Sequence, residues 1–359
     1  MTDLRLGASG YAGRGRAMGT HGTRKARIIA AGVLLLLVAV AVLALAACGG
    51  SDATTAPSPS VEPSRVAASS APPSETPLPT PTVAGTIAFS RGGADGARDD
   101  IYLVNADGTG LSRLTSGSAP FNEHPSWSPD GGKIVYHSGA GELSTFTIWV
   151  MNADGSNNRR LAKGSVNGIF PSWSPDGRHI AFSRWSQKSS DELLTIAIMN
   201  ADGSQLRNLT GGQGDDRFAS WASNGRVLFL RGGDVYAVDV GGGRAVRVTK
   251  TGGIDDYALS PDGKSIVVDD ARDDRILLVP LRGGGTPVTL VELNHDPVDL
   301  GAIVSPTWTQ DGKAVVMATS DWELELDEGS SLYQVNADGT SLSIVPGIEY
   351  AFDPAWRPE

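Results

Sequence analysis

The sequence predicts an all-β domain made of repeated four-stranded units, and three observations lead to that prediction. The phrase Pro-Ser-Trp-Ser-Pro-Asp-Gly stands at residues 125–131 and again, unchanged, at 171–177. Looser copies follow, so that each repeat has one marker residue: Trp127, Trp173, Trp221, Leu259, Trp308 and Trp356. Their spacing of 38 to 49 residues is typical of propellers and solenoids. The 45 glycines and 21 prolines also suit a turn-rich β protein.

Each repeat is interpreted as four short strands joined by tight turns. A β-rich run follows the glycine of the phrase, as in 133–137, and another follows a polar gap, as in 148–151. That second run ends in the turn Asn-Ala-Asp-Gly, and a short run such as 207–210 closes the repeat. Proline presets φ, and Asp, Asn and Gly accept turn conformations, so both phrases predict hairpin turns. Four-stranded antiparallel units in radial array are the blades of a β-propeller.

The two ends of the repeat region predict a closed ring of six blades. The chain enters at 85–90 with a second strand that no phrase precedes, and it leaves at 353–356 with a first strand that no second strand follows. Five whole repeats and this composite unit make the six blades. Pairing of the N- and C-terminal strands leaves no exposed sheet edge between the first and last blade. An open β-solenoid is the alternative, but a solenoid needs capping repeats rather than complementary halves.

The recurring pattern PxWSPDG…IAFSR…IYLVNADG…RLT resembles the WD40-like repeats of TolB-type β-propellers. The resemblance covers nearly all of residues 84–359 and implies the six-bladed fold. It implies little about function, because propellers serve both as binding modules and as enzymes. Two repeats depart from the pattern: the fourth has Leu259 as its marker, and the third, from Trp221 to the next marker, is the shortest of the set.

The N-terminal part of the chain predicts export and membrane attachment. A basic cluster ends at Arg27, and twenty uncharged residues, 28–47, follow it. The only cysteine, Cys48, comes directly after Leu45-Ala46-Ala47, which resembles a bacterial lipoprotein signal peptide and implies that Cys48 is lipidated. An uncleaved single-pass anchor is the alternative, because twenty apolar residues can span a bilayer. Both interpretations place the propeller on the extracytoplasmic side of the cell membrane, because the basic cluster stays in the cytoplasm.

Three segments are therefore predicted. Residues 1–47 are the signal peptide or membrane anchor, residues 48–83 are a disordered linker rich in Pro, Ser and Thr that begins with the lipidated cysteine, and residues 84–359 are the propeller. A single cysteine excludes a disulfide within the chain. We expect a monomer.

The sequence contains no catalytic motif, because it lacks a GxSxG elbow, an HExxH helix, a P-loop and a dinucleotide-binding glycine pattern. We therefore predict no catalytic residue and no metal ligand. The loops opposite the short turns are long, variable and acidic, and functional residues concentrate on such loops. They predict a binding face that consists of these carboxylates and tryptophans: Glu123, Asp215, Asp216, Asp255, Asp256, Asp353, Trp185 and Trp322.

An acidic face favours a cell-envelope protein or a cationic peptide segment as the partner and argues against nucleic acid. No cofactor is predicted, although Ca²⁺ is an alternative ligand for these acids, and a third interpretation is that they only keep the protein soluble. We interpret the chain as a binding or scaffold module. The alternative is a propeller enzyme that acts on a carbohydrate or a small ester or lactone with carboxylates at the channel mouth. An enzyme site would hold carboxylates of raised pKa in a closed pocket, whereas a recognition face would be open and uniformly ionised.

Overall fold

The computed structural model describes residues 85–358, apart from 94–97, 117–118, 162–163, 165, 186–192, 213, 223, 271–272, 274, 282–285, 293–301 and 321–330. The described residues form 24 strands and no helix, which confirms the all-β prediction. Accordingly, nothing in this part of the chain is a helix long and apolar enough to cross a bilayer. The predicted signal peptide, Cys48 and the linker lie outside the described residues.

The strands follow one another in a regular order along the chain. They are β1 (Thr86–Gly92), β2 (Asp99–Asn105), β3 (Ser112–Arg113), β4 (Phe121–Trp127), β5 (Lys133–Gly139), β6 (Thr147–Asn152), β7 (Arg159–Arg160), β8 (Gly168–Trp173), β9 (His179–Trp185), β10 (Leu194–Asn200), β11 (Arg207–Asn208), β12 (Arg217–Trp221), β13 (Arg226–Arg231), β14 (Asp234–Asp239), β15 (Val246–Arg247), β16 (Ile254–Leu259), β17 (Ser265–Asp270), β18 (Arg275–Pro280), β19 (Val288–Glu292), β20 (Ala302–Trp308), β21 (Ala314–Ser320), β22 (Leu332–Asn336), β23 (Ser343–Ile344) and β24 (Ala351–Trp356).

The sheets of this all-β propeller are mostly runs of four consecutive antiparallel strands. β8–β11, β12–β15, β16–β19 and β20–β23 each form one sheet. A further sheet of eight strands contains β4–β7 together with β24, β1, β2 and β3, and the single residue pair Asp99 and Phe121 joins its two halves. Within it β24 runs antiparallel to β1, with Trp356 opposite Ile87. The first and last strands of the chain are therefore hydrogen-bonded neighbours.

The Ser-Pro-Asp-Gly phrase forms the turn between the first two strands of a repeat. The Ser128 hydroxyl donates to Asp130 Oδ1 at 2.5 Å, and the Gly132 amide donates to the same oxygen at 3.0 Å. Gly131 has a φ of 62°, a left-handed conformation that glycine adopts without strain. In the fourth repeat the corresponding hydrogen bonds lower the pKa of Asp262 to about 2. The carboxylate of this turn therefore stays ionised, and keeps accepting these hydrogen bonds, over the physiological pH range.

The marker tryptophans connect neighbouring repeats. Three of the indoles donate a hydrogen bond to the carbonyl just before the previous repeat's marker: Trp127 to Ala355 (3.2 Å), Trp221 to Ser172 (3.1 Å) and Trp308 to Ala258 (3.1 Å). These side chains are also buried or nearly so, so each one contributes apolar burial and one directed bond between repeats. The first of these bonds joins the first complete repeat to the last strand.

The fourth repeat replaces the missing indole with a tyrosine. Leu259 has no donor, but Tyr257, two residues earlier, donates its hydroxyl proton to the carbonyl of Phe218 in the preceding repeat at 2.9 Å. Tyr257 is 5% exposed and packs in the same apolar cluster as Leu259 and Phe218. Other repeats have proline or alanine at this position. The fourth repeat therefore keeps a hydrogen bond to the preceding repeat through a different side chain.

Replacement of Tyr257 by Phe tests this substitute bond. The variant keeps the ring but leaves the buried Phe218 carbonyl without this donor, so we expect the free energy of unfolding to fall by about 1 kcal/mol. Urea denaturation of the full-length protein measures the change as a lower midpoint with an unchanged slope. An unaltered midpoint would show that the hydroxyl contributes nothing between the two repeats.

Candidate functional site

Six residues, each three positions before a marker, line one level of a cavity between the first strands. They are His124, Phe170, Phe218, Asp256, Ser305 and Asp353, here called the cavity ring. The cavity has a volume of about 410 Å³. Ligand pockets typically have volumes of roughly 300–1,000 Å³, so this space suits a small molecule or one side chain of a partner.

A β-bulge places each ring residue. The register between the first two strands shifts at this point, for example between Glu123 and Ser126 in β4 and between Ile254 and Asp256 in β16. Five members of the ring have a φ between 51° and 55°: His124, Phe170, Phe218, Ser305 and Asp353. Such values are uncommon for residues other than glycine and cost energy. The same unfavourable backbone conformation is thus repeated around one cavity.

The bulges also free backbone amides that bind side chains of the preceding repeat. The His124 amide donates to Ser90 Oγ in β1 at 3.0 Å. The Phe170 amide lies 3.4 Å from His137 Nδ1 in β5. His124 and Phe170 are therefore held both by their own strands and by a side chain of the preceding repeat. These contacts fix their positions relative to the cavity.

Asp353 is the best-connected polar residue of the ring. Its side chain is only 3% exposed, and its Oδ1 accepts a hydrogen bond from the Ser305 hydroxyl at 2.7 Å. Its Oδ2 lies 3.2 Å from His124 Nε2 and accepts from Ser90 Oγ at 3.3 Å. Burial, and then the nearby carboxylate of Glu123, raise the pKa of Asp353 well above its usual range, while the two serines oppose that rise.

The Ser305 hydroxyl, which donates to Asp353, also lies beside the carboxyl group of Asp256 and lowers its pKa. Burial outweighs this effect and raises the pKa of Asp256 to about 7, and the neighbouring Asp255 adds to the rise. The Asp256 side chain is partly exposed and lines the cavity. Burial thus favours the protonated forms of both carboxyl groups.

A second histidine and carboxylate lie beside the first pair. His137 Nε2 is 3.3 Å from Glu123 Oε2, and His137 is 2% exposed. The imidazoles of His124 and His137 stack with 5.1 Å between their centroids and 23° between their planes. A second imidazole and carboxylate, which are not part of the cavity lining, therefore lie behind the polar side of the ring.

The opposite side of the ring is aromatic. The rings of Phe170 and Phe218 lie 4.2 Å apart, centroid to centroid, at 33°. His124 meets Phe170 edge to face at 4.4 Å and 87°, so it stands at the boundary between the two sides. The cavity thus presents buried acids on one side and an apolar aromatic surface on the other.

Comparison with known proteins bears on the fold. Residues 84–232 match the family model of the TolB beta propeller domain. The structure of TolB from Acinetobacter baumannii aligns with a TM-score of 0.62 at 23% identity, over 77% of this chain and 67% of that one. Putative TolB from Agrobacterium tumefaciens aligns with a TM-score of 0.57 at 16% identity, over 77% and 95%. The fold is a TolB-type β-propeller. The predicted resemblance is therefore confirmed.

This fold alone does not assign a function to the TolB-type propeller. Hydrazine synthase from Kuenenia stuttgartiensis aligns as well, with a TM-score of 0.62 at 13% identity, over 77% of this chain and 47% of that one. No curated protein matches the chain by sequence. Function must therefore be argued from the residues of the cavity.

The structure of this TolB-type propeller brings some of the predicted face residues together. Asp256 and Asp353 line the cavity, Glu123 lies beside Asp353, and Asp255 is an exposed neighbour of Asp256. These four residues are here called the acidic mouth, meaning the loop side of the cavity ring; the wall of the cavity itself continues from the ring toward the short turns. They come from three different first strands, β4, β16 and β24, which the equivalent bulges bring to one level.

Other predicted face residues have different surroundings. Asp216 is fully buried, and both of its oxygens accept hydrogen bonds from Arg231, at 2.6 and 2.8 Å. Its placement on an exposed binding face is therefore corrected, because burial and arginine pairing leave neither oxygen for a ligand. Asp215 forms an ion pair with Arg217 and accepts from the Leu194 amide at 3.2 Å.

The predicted tryptophans do not join the cavity ring. Trp185 is partly buried against the apolar cluster of Phe146, Ile169 and Leu194. Trp322 lies outside the described residues. Within the described parts of the chain, no group of three or more His, Cys, Asp or Glu side chains is arranged to hold a metal ion.

Sequence reasoning missed four members of the ring: His124, Phe170, Phe218 and Ser305. Their residue types differ, so no repeated letter marks them. A signal does exist, because all six ring residues stand three positions before a marker. An alignment of the six repeats at that position would have identified all six residues of the cavity ring.

Replacement of Asp256 by Asn should stabilise the protein at alkaline pH. The pKa of Asp256 is about 7 in the fold, against an ordinary value of 3.8, so between these values the folded state retains a proton that the unfolded state lacks. The free energy of unfolding therefore falls as the pH rises between these two pKa values. Above the higher value the carboxyl group of Asp256 is ionised and destabilises the folded state to its full extent. We expect Asp256→Asn to melt several degrees higher than the parent at pH 8 and to differ much less at pH 4.

Thermal melts of the full-length protein at both pH values measure this effect. Asp255→Asn makes the same chemical change at an exposed neighbour and should shift the melting temperature only slightly. A larger gain at pH 4 than at pH 8, or an equal gain from Asp255→Asn, would contradict the assigned pKa.

Proposed function

We propose that this chain is a lipid-anchored, extracytoplasmic TolB-type propeller of six blades that binds a partner through its cavity and acidic mouth. Six runs of four strands support the blade count, if the eight-stranded sheet is divided at its single joining pair. Closure of the circle of blades is supported by the pairing of β24 with β1 and by the hydrogen bond from Trp127 to Ala355.

The position of two carboxyl groups, Asp256 and Asp353, on the wall of one cavity is the observation that carries the binding proposal. Burial makes their charged forms costly and raises the pKa of both groups. Carboxyl groups with such shifts in a cavity are typical of a functional site. Glu123 and Asp255, one residue before His124 and Asp256 on their strands, extend the negative charge to the loop side of the ring, where it attracts cationic groups.

The partner class follows from this charge. A basic segment of a cell-envelope protein is complementary to the acidic mouth, whereas nucleic acid would be repelled by it. The TolB structures from Acinetobacter baumannii and Agrobacterium tumefaciens support the propeller fold on which this proposal is built. We expect the propeller to act as a monomer, with Ca²⁺ as an alternative ligand of the same carboxylates.

Membrane attachment rests on the N-terminal sequence. The apolar run 28–47 and Cys48 after two alanines support a lipoprotein signal, with residues 48–83 as the linker to the propeller. An uncleaved anchor at 28–47 gives the same orientation.

Metabolic labelling with an alkyne-tagged fatty acid distinguishes the two anchors. We expect the wild-type protein to take up label and Cys48→Ser to take up none, because the thiol is the group that carries the lipid. Cys48→Ala serves as a second variant. Uptake of label by either variant, or its absence from the wild type, would rule out lipidation at this position.

An enzyme is the second candidate function, and the enclosed carboxyl groups favour it. One protonated and one ionised carboxyl group can act as general acid and general base. Two such groups flanking a glycosidic bond would hydrolyse it, and a small ester or lactone is another substrate class. The histidine pair His124 and His137 adds further titratable groups nearby.

A basic peptide tests the binding proposal. We expect an N-acetylated (Ala-Lys)₅ peptide to raise the melting temperature of the full-length protein, since a ligand at about 100 times its Kd adds about 2.7 kcal/mol. Asp353→Asn should weaken the peptide at least tenfold. Asp154→Asn, in an exposed turn at the other end of the strands, is the matched control and should bind normally. Equal stabilisation by the corresponding (Ala-Glu)₅ peptide would contradict the proposal, and turnover of an oligosaccharide or lactone without peptide binding would favour the enzyme.

A further inference from the structure

We propose that the cavity is a binding site for a protonated amine, with the ammonium group between Asp256 and Asp353 and the hydrocarbon part against Phe170 and Phe218. This inference rests on the proposed binding function and names the chemistry of the group that enters the cavity. It follows from the composition of the cavity wall, from a comparison with other buried acids of the same molecule, and from the aromatic side of the ring.

The described cavity wall has an unbalanced charge. Asp256 and Asp353 are its two carboxyl groups, and no lysine or arginine is among the described residues that line it. His124 is the one cationic candidate in the lining, and its Nε2 is already directed at Asp353. A cation in the cavity would therefore meet acidic groups that the described side chains neutralise only in part.

Four other buried aspartates of the propeller have an arginine partner: Asp100 with Arg113, Asp216 with Arg231, Asp234 with Arg247 and Asp270 with Arg275. In the described chain, Asp256 and Asp353 instead contact hydroxyls, one backbone amide and one imidazole. The two carboxyl groups of the cavity thus differ from these four in lacking a lysine or arginine contact among the described residues, and a ligand can supply that charge.

The aromatic side selects the kind of cation. Phe170 and Phe218 present an apolar surface across the ring, and an aromatic face attracts an organic cation within about 6 Å. A hard metal ion such as Ca²⁺ takes six to eight oxygen ligands and gains nothing from phenyl rings. Since no metal-holding group of three side chains occurs among the described residues, an ammonium group with a hydrocarbon body fits the wall better than a metal ion.

Proton release should accompany binding, because burial raises the pKa of both carboxyl groups and an ammonium ion lowers it again. The titratable groups around Asp256 are Asp353, its own neighbour Asp255 and Asp269 on the paired strand β17. Around Asp353 they are His124 and Glu123, and His137 contacts both of these. An ammonium group favours the ionised carboxylates, so affinity should rise as the pH increases through about 7.

Isothermal titration calorimetry on the full-length protein tests the proposal with phenethylammonium and its neutral counterpart 2-phenylethanol. We expect the ammonium ion to bind at least tenfold more tightly than the alcohol. At pH 7 the heat should vary with the ionisation enthalpy of the buffer in the sense of proton release. This comparison uses the wild-type protein, so it does not depend on the folding of any variant.

Two variants and one control locate the site. Asp353→Asn and Asp256→Asn should each weaken phenethylammonium at least tenfold, whereas Asp154→Asn should change its affinity less than twofold. Equal binding of the alcohol, absence of binding at 10 mM ammonium ion, or an equal loss in Asp154→Asn would overturn the proposal.

The source of the amine is distinguished by competition. An N-acetylated peptide with a single lysine between alanines and phenylalanine should displace phenethylammonium if the amine belongs to a polypeptide, and its glutamine counterpart should not. Binding of the free amine with no displacement by the lysine peptide would indicate a small-molecule ligand. If (Ala-Lys)₅ binds and responds to Asp353→Asn but phenethylammonium does not bind, the amine site is refuted while binding at the acidic mouth stands.

Discussion

The bulge three residues before each marker is the constraint on which the cavity depends. It interrupts the pairing of the first two strands, sets φ near 50° in five of six ring residues, and places their side chains at one level. A backbone held this way needs support, and the neighbouring repeat supplies it through Ser90, His137 and the indole bond of the marker. The residues that bind repeats to each other are therefore also the residues that fix the wall of the cavity.

The repeats are alike where they form turns and different where they form the ring. Each Ser-Pro-Asp-Gly turn satisfies the same donors and acceptors, so its sequence is restricted by geometry. A ring position needs only a side chain that tolerates the bulge, so its residue type is free to vary. Variation at that position divides the cavity into an acidic side and an aromatic side, without any change in the surrounding framework.

This difference explains what the sequence could reveal. Strand number, turn positions and the complementary chain ends are local patterns, and they predicted the all-β propeller correctly. The ring is a feature of register, and its six residues share no chemical type, so composition singled out only Asp256 and Asp353 from it. Adjacent residues also differ in ways that a charge count misses, as in Asp216, which lies buried against Arg231, and Asp215, which pairs with Arg217. A loop carboxylate is available to a ligand only if no arginine of the same protein already forms an ion pair with it.

The state of Asp353 bears on the choice between binding and catalysis. Enclosed carboxyl groups of raised pKa suit an enzyme, but they also suit a site that takes up a cation in exchange for a proton. Asp353 is surrounded by two serine hydroxyls and the imidazole of His124, and Ser305 ties it to Asp256. The raised pKa makes this carboxylate a stronger base than an ordinary aspartate, but the serines and the imidazole already contact both of its oxygens and restrict their access to a substrate. Because a catalytic carboxylate needs a lone pair available to the reacting atoms, this arrangement favours a binding site over an acid–base centre.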